Sequence, residues 1–242
     1  MKKRLYKIYL SKKPEPLNVL MGLLGLLVLV VIHFADVNHL TRFRDLFAAS
    51  GEQVFGLGEH WRLFTTTLVH ADLDHLALNS IAFTLLAVLL NTYFGLLLFP
   101  ITSLLSGAVI NLIVLSFYPP GVTLVGISGV IYFMAAFWLT MYAFIERRIS
   151  AGKRLINICA MSLIFLFPQG GILEERVSYA SHAVGFVLGV LFALGYQWRM
   201  KEKFLAAEVW VDDPPDVDDE LLDFLSQNHE FMTEEDQKYY YH

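Results

Sequence analysis

Long apolar runs dominate the chain, and their lengths decide what they are. Runs of about 17–25 residues with almost no charge suit helices that cross a bilayer. Six occur, near residues 17–35, 76–94, 96–117, 128–145, 155–173 and 178–198. The first follows a basic head, as a signal peptide would. Its apolar run is too long for one and no small-x-small cleavage site follows, so it is read as a retained span. The fifth is predicted to be short, because Pro168, Gly170 and Gly171 interrupt its far end. Between the first two runs lies a long loop, residues 36–74, that mixes apolar and charged positions, as in LTRFRDLFAASGEQVFGLGEHWRLF. It lacks the Ser, Pro and Gly bias of a flexible linker. A folded loop lying partly in the membrane interface is expected, with Trp61 and Phe64 as its anchors.

Composition agrees with this pattern. Of 242 residues, 56% are hydrophobic and 17% charged, and the mean hydropathy is +0.52, which is an integral membrane composition. The net charge of −5 hides a segregation that matters more. The first thirteen residues hold six bases and no acid, while the last thirty-five hold twelve acids and one base, Lys238. Bases also gather in the 146–154 connector (Arg147, Arg148, Lys153, Arg154) and after the sixth run (Arg199, Lys201, Lys203). The loops of the other side share only Arg42, Arg44, Arg62 and Arg176. By the positive-inside rule both termini are expected in the cytoplasm, with an even number of spans. The basic residues sit beside apolar segments and make no nucleic-acid footprint. The single cysteine, Cys159, is expected to be a small buried hydrophobe, so no disulfide and no Cys-based metal site is predicted.

Polar residues inside spans are costly and therefore informative. Ser128 opens the fourth span between glycines, as Gly126-Ile127-Ser128-Gly129; His182 lies on the sixth; His70, His75 and Asn79 enter the second. The remaining histidines, including His33 at the end of the first span, are read as solvated. Depth offers a test. Ser128 lies eighteen residues before Glu146 and His182 seventeen before Arg199, roughly 27 and 26 Å of helix. Both then sit at one height, just inside the outer face. Their faces match as well. His182, Gly185 and Gly189 share a stripe with small-xxx-small spacing, and Ser128 shares a side with Ala135 and Ala136. Such helices can bring a serine hydroxyl to an imidazole base. His75 and Asn79, four apart on one face, together with the Ser128 amide at a helix start, would supply donors to a developing oxyanion. A plainer reading stays open, in which Ser128 and Gly129 only pack helices and His182 bonds a backbone carbonyl. A metal site is disfavoured, since His70 and His75 are five apart and no third ligand shares their face. A transporter is disfavoured too, for want of inverted repeats and midplane breaks.

Taken together, these residues resemble the rhomboid family of intramembrane serine proteases. The motifs are Trp61 and Arg62, His70 nine residues after Trp61, His75-x-x-x-Asn79, Gly126-x-Ser128-Gly129 with Tyr132, and His182-x-x-Gly185-x-x-x-Gly189. The resemblance implies an all-α membrane fold, a six-helix bundle with a water-filled cavity open to the outer side. It implies Ser128 as nucleophile and His182 as base with no acidic third member. His75, Asn79 and the Ser128 amide would form the oxyanion hole, Tyr132 would stack on His182, and His70 would order the water-facing rim. The short fifth span and PQGGILEERV would form a gate and cap. The implied substrates are single-span membrane proteins cut near the outer face of a bacterial inner membrane, with no cofactor. Non-catalytic relatives that only bind membrane helices are the alternative, but they usually lack the Ser or the His, and both are present here. The connector between the second and third spans lacks the family's glutamate that ties the first loop down, leaving Asn91 or Thr92 to replace it.

Three parts are therefore expected: a basic head (1–16), a bundle (17–200) and an acidic tail (201–242). In the tail, Leu221, Leu222, Phe224 and Leu225 form an amphipathic run, and Thr233 with Asp236 comes close to a capping box. It reads either as a solvated segment or as a short helical hairpin that docks on the bundle or a cytoplasmic partner.

Overall fold

The computed structural model describes residues 3–166 and 178–212. Pro168, Gly170, Gly171 and the rest of the expected gate, together with the tail from residue 213, lie outside the described residues. A short strand, β1 (Lys3–Lys7), leads into α1 (Pro16–Val37). Its proline takes the first helical position, where a missing N–H costs nothing. The first loop then folds as α2 (Phe43–Phe47), β2 (Ala49–Ser50), a π turn (Glu52–Gly56) and α3 (Arg62–Thr65). α4 (Leu73–Phe94) starts on Asp72, whose carboxylate accepts from His75 N at 2.8 Å, and ends at Gly95, where φ is 77°. A π turn (Leu97–Thr102) opens into α5 (Ser103–Phe117), followed by β3 (Thr123–Leu124) and α6 (Ser128–Ile145). α7 (Ala151–Leu166), α8 (Tyr179–Ala206) and β4 (Val209–Asp212) complete the order.

Among the described residues, five stretches are long and apolar enough to cross a membrane: α1, α4, Leu97–Phe117, α6 and α8. They correspond to five of the six expected runs, with α8 continuing to Ala206. The remaining run carries α7, described over sixteen residues. Many large apolar side chains on the helices are exposed, among them Leu20, Leu24 and Leu27 on α1 and Leu191 and Leu194 on α8. A surface of that kind is at home in lipid, and the protein is a multi-pass membrane protein.

α6 is the axis of the bundle: thirteen of its eighteen residues are buried, against three of twenty-two in α1. α8 lies along it in parallel. A side chain at Gly185 would run into the Gly129 carbonyl, and one at Gly189 into the Phe133 carbonyl. Both pairs step by four residues, so the two backbones stay in contact over a full turn. Glycines also bring α1 against α4, where a Cβ at Gly22 would lie 2.8 Å from Val88 and one at Gly25 2.9 Å from Phe83. At the far end from Ser128, Tyr9 packs edge-on to Phe204 at 4.9 Å and Phe94 edge-on to Phe137 at 5.1 Å. β1 and β4 pair antiparallel, Lys3 opposite Asp212 and Leu5 opposite Trp210, which holds the two segments on one face of the bundle.

The first loop is folded, as expected, but its ties differ from those predicted. Thr92 bonds its own helix at Val88 O. The loop is instead held by Asn111 on α5, whose Nδ2 donates to Leu63 O at 2.8 Å, by Thr66 Oγ1 donating to Leu124 O at 2.5 Å, and by the β2–β3 pair. Two further expectations are corrected. His33 is buried, because the loop folds back over the end of α1, with Arg44 N donating to Asp36 Oδ1 at 2.9 Å. Cys159 is exposed, because α7 lies at the edge of the bundle and buries only Phe165 among its described residues.

Candidate active site

The segment before α6 is shaped by its contacts. Gly126 N donates to Thr66 O at 3.0 Å, and Ala49 pairs with Leu124, so the first loop clamps residues 123–126. Gly126 has φ of 106°, which L residues avoid, and a Cβ there would lie 2.7 Å from His75 Cε1. Glycine is needed twice over. α6 begins at Ser128, so the Ser128 N–H is one of the first-turn donors with no intrahelical acceptor. The side chain of Ser128 lines a cavity of about 50 Å³ together with Thr67, His75, Asn111, Gly126 and Ser181, a space that holds a few water molecules.

His182 sits in the first turns of α8, buried, with its ring stacked on Tyr132 at 4.1 Å between centroids and 10° between planes. Tyr132 lies one turn beyond Ser128 on α6. Its hydroxyl donates to Leu166 O at 3.0 Å, so the ring that supports His182 is itself held. Gly129 and Gly185 bring the backbones together at this level, and a Cβ on Gly129 would lie 3.4 Å from Ser181 O. His182 Nε2 is buried without a hydrogen-bond partner, and among the described residues no carboxylate bonds to this ring. The Ser128–His182 hydrogen bond is not made in this structure.

On the other side of Ser128, His75 and Asn79 project from one face of α4 toward Gly126. Asn79 Nδ2 lies 3.8 Å from where a Cβ on Gly126 would stand. Asn79 is fully buried, yet neither its amide nitrogen nor its oxygen has a partner. His70 packs edge-on to His75 at 5.2 Å. It is 2% exposed rather than at a water-facing rim, and both its nitrogens are unpartnered. Burial, with the His75 and His33 imidazoles adding to it, pushes His70 down to about 3. Buried polar atoms in native proteins are almost always paired. Their concentration here marks a place built for something other than packing.

Trp61 and Arg62 lie away from this cluster. Arg62 is buried and organises the first loop, with Nε 2.5 Å from Glu59 Oε2 and Nη1 donating to Asp45 O and Ala48 O. Trp61 and Phe64 are half exposed, as interface anchors would be. Asn111 and Thr66 had no place among the expected site residues. Asn111 carried the same signal as Ser128, a polar side chain inside an apolar run. Thr66 carried none, since a threonine in a loop is unremarked until its partner is known.

Comparison with known proteins bears on all of this. The Rhomboid domain family matches residues 57–199, which is 143 of the 242 residues and includes every site residue named above. The chain is also similar to a Bacillus subtilis (strain 168) protein described as "Putative rhomboid protease YdcA". The two are 28% identical over 138 residues, which cover 56% of this chain and 67% of that one. A helical membrane bundle, a glycine-framed serine at the head of its central helix, and a match over more than half the length lead to one assignment: the chain belongs to the rhomboid family.

Proposed function

We propose that the protein is a serine endopeptidase that hydrolyses peptide bonds of single-span membrane proteins within the bilayer, using Ser128 and His182. The observation that carries this is the buried His182 imidazole. It is stacked on Tyr132 one turn from Ser128, and among the described residues its Nε2 has no hydrogen-bond partner. Hydrogen bonds between a nucleophile and its base are commonly long or poorly aligned in the free enzyme and tighten only when substrate is bound.

The chemistry follows from the groups in place. His182 accepts the Ser128 proton as Oγ attacks the scissile carbonyl. The negative oxygen is met by the Ser128 N–H, the Asn79 amide and His75, and the helix start adds its positive end. His182 then gives the proton to the leaving amine. A water attacks the acyl-serine, again losing its proton to His182, and Ser128 is regenerated. No aspartate is needed to orient the ring, because Tyr132 holds it by stacking and is anchored at Leu166 O.

The surroundings fit a bundle with its site near the outer face and its termini in the cytoplasm of a bacterial inner membrane. β1 and β4 share one face, and among the described residues five stretches are long enough to cross; with both termini on one side, α7 would be the sixth crossing. Residues 17–200 would form the peptidase, 1–16 its basic head and 201–242 an acidic tail whose partner would be cytoplasmic.

A fluorophosphonate probe tests the nucleophile. Wild-type protein becomes labelled, Ser128→Ala does not, and His182→Ala labels far more slowly. In a cleavage assay Asn79→Ala loses about 10²–10³ in rate, as expected for one oxyanion donor. Undiminished labelling of the Ser128→Ala protein excludes Ser128 as nucleophile. A helix-binding protein without activity would leave all three unlabelled.

A further inference from the structure

A second cavity, of about 180 Å³, lies at the end of the bundle opposite Ser128, between the ends of α6 and α8 and the start of the chain. Ile8, Ile145 and Phe204 make its buried apolar wall, and Arg147, Lys201 and Glu208 stand at its mouth. Arg147 and Glu208 pair at 2.8 Å. Lys201 makes no ion pair among the described residues, so the mouth keeps a net positive charge. Gln197 also lines the cavity and buries its Oε1 with no hydrogen-bond partner, which is costly unless something there donates to it.

The position of this cavity says what kind of molecule reaches it. Phe144 and Leu205 on its rim are partly exposed, and next to Gln197 on the helix Trp198 is 82% exposed. Exposed tryptophan at the end of a spanning helix marks headgroup level. The cavity therefore opens where apolar surface gives way to charge, beside the basic residues Arg199 and Lys203.

We infer that this cavity binds the headgroup of an anionic phospholipid bearing hydroxyl donors, of which phosphatidylglycerol is the simplest. The phosphate lies against Lys201 and the outer edge of Arg147, a headgroup hydroxyl donates to Gln197 Oε1, and the acyl chains follow Phe144 and Leu205. The site is independent of the peptidase reading, since none of its groups is near Ser128.

The test is native mass spectrometry of the full-length delipidated protein, titrated with phosphatidylglycerol or phosphatidylcholine of identical chains. The first phosphatidylglycerol binds at least about tenfold more tightly, and Lys201→Glu removes that preference. Gln197→Leu weakens phosphatidylglycerol selectively. Lys153→Glu, an exposed charge reversal outside the cavity, leaves the preference intact. Inorganic phosphate at millimolar concentration gives no thermal protection, whereas phosphatidylglycerol does. Equal binding of the two lipids, or equal loss in Lys153→Glu and Lys201→Glu, would mean diffuse surface attraction and overturn the site. Protection by inorganic phosphate alone would make it a free-phosphate site and overturn the lipid assignment.

Discussion

His70, Asn79 and His182 are three of the side chains that the apolar pattern marked as out of place, and all three are buried with polar atoms unpaired. The mark was legible because hydrocarbon makes an unpaired polar group expensive, so such a residue stays only where it serves a purpose. The same logic applied to Asn111, whose service is structural: it holds the first loop at Leu63 O. Partnership across the fold, unlike cost, cannot be read from one run. His70 offers a test through pH. Its imidazole is held at about 3 by burial, below the usual 6.5. Between those values the unfolded chain takes a proton that the folded chain refuses, so stability falls as pH drops through that window. The slope from this one group reaches at most about 1.4 kcal/mol per pH unit. Melting temperatures of the detergent-solubilised protein from pH 7 to 4.5 should fall more steeply for wild type than for His70→Phe. Parallel curves would show that His70 takes up its proton without cost.

Among elements, the α6–α8 pair decides whether the candidate dyad meets. Its small-residue faces were visible in the spacing of Gly185 and Gly189, and its equal depth in the count back from Glu146 and Arg199. What spacing could not give was the contact itself, the carbonyls of Gly129 and Phe133 lying where side chains would otherwise stand. Gly185→Leu must push α8 off α6. It should cost about 1–3 kcal/mol, the usual price of overpacking, and should abolish peptidase activity by separating His182 from Ser128. Gly195, on the same helix with open space around it, is the control. Gly195→Ala should hold or raise the melting temperature, since alanine favours a helix by about 1 kcal/mol over glycine. Equal destabilisation by the two substitutions would mean that α6 and α8 are not in close contact. Cys159 and His33 went the other way: residue type predicted burial for one and exposure for the other, and the position of the surrounding helix or loop reversed both.

At the scale of the molecule, charge segregation implied that both ends share one side, and the β1–β4 pair brings residues 3–7 and 209–212 together on one face. In the proposed topology that face is the cytoplasmic one. Single cysteines replacing Lys3 and Asp212, in a Cys159→Ser background, should resist a membrane-impermeant thiol reagent in intact cells and react together once the membrane is opened. Reaction of one alone, from outside, would break the pairing and with it the even number of crossings. The sheet itself left no trace in the sequence: short strands of mixed polarity look like any other tail until they find each other.

The most direct measurement is cleavage of a single-span reporter by the purified full-length protein in proteoliposomes, compared with Ser128→Ala and His182→Ala. The proposed mechanism predicts cutting by the wild type and a loss of at least about 10³-fold in each variant, with the variants still folded by their melting curves. Cleavage by Ser128→Ala at the wild-type rate would contradict it.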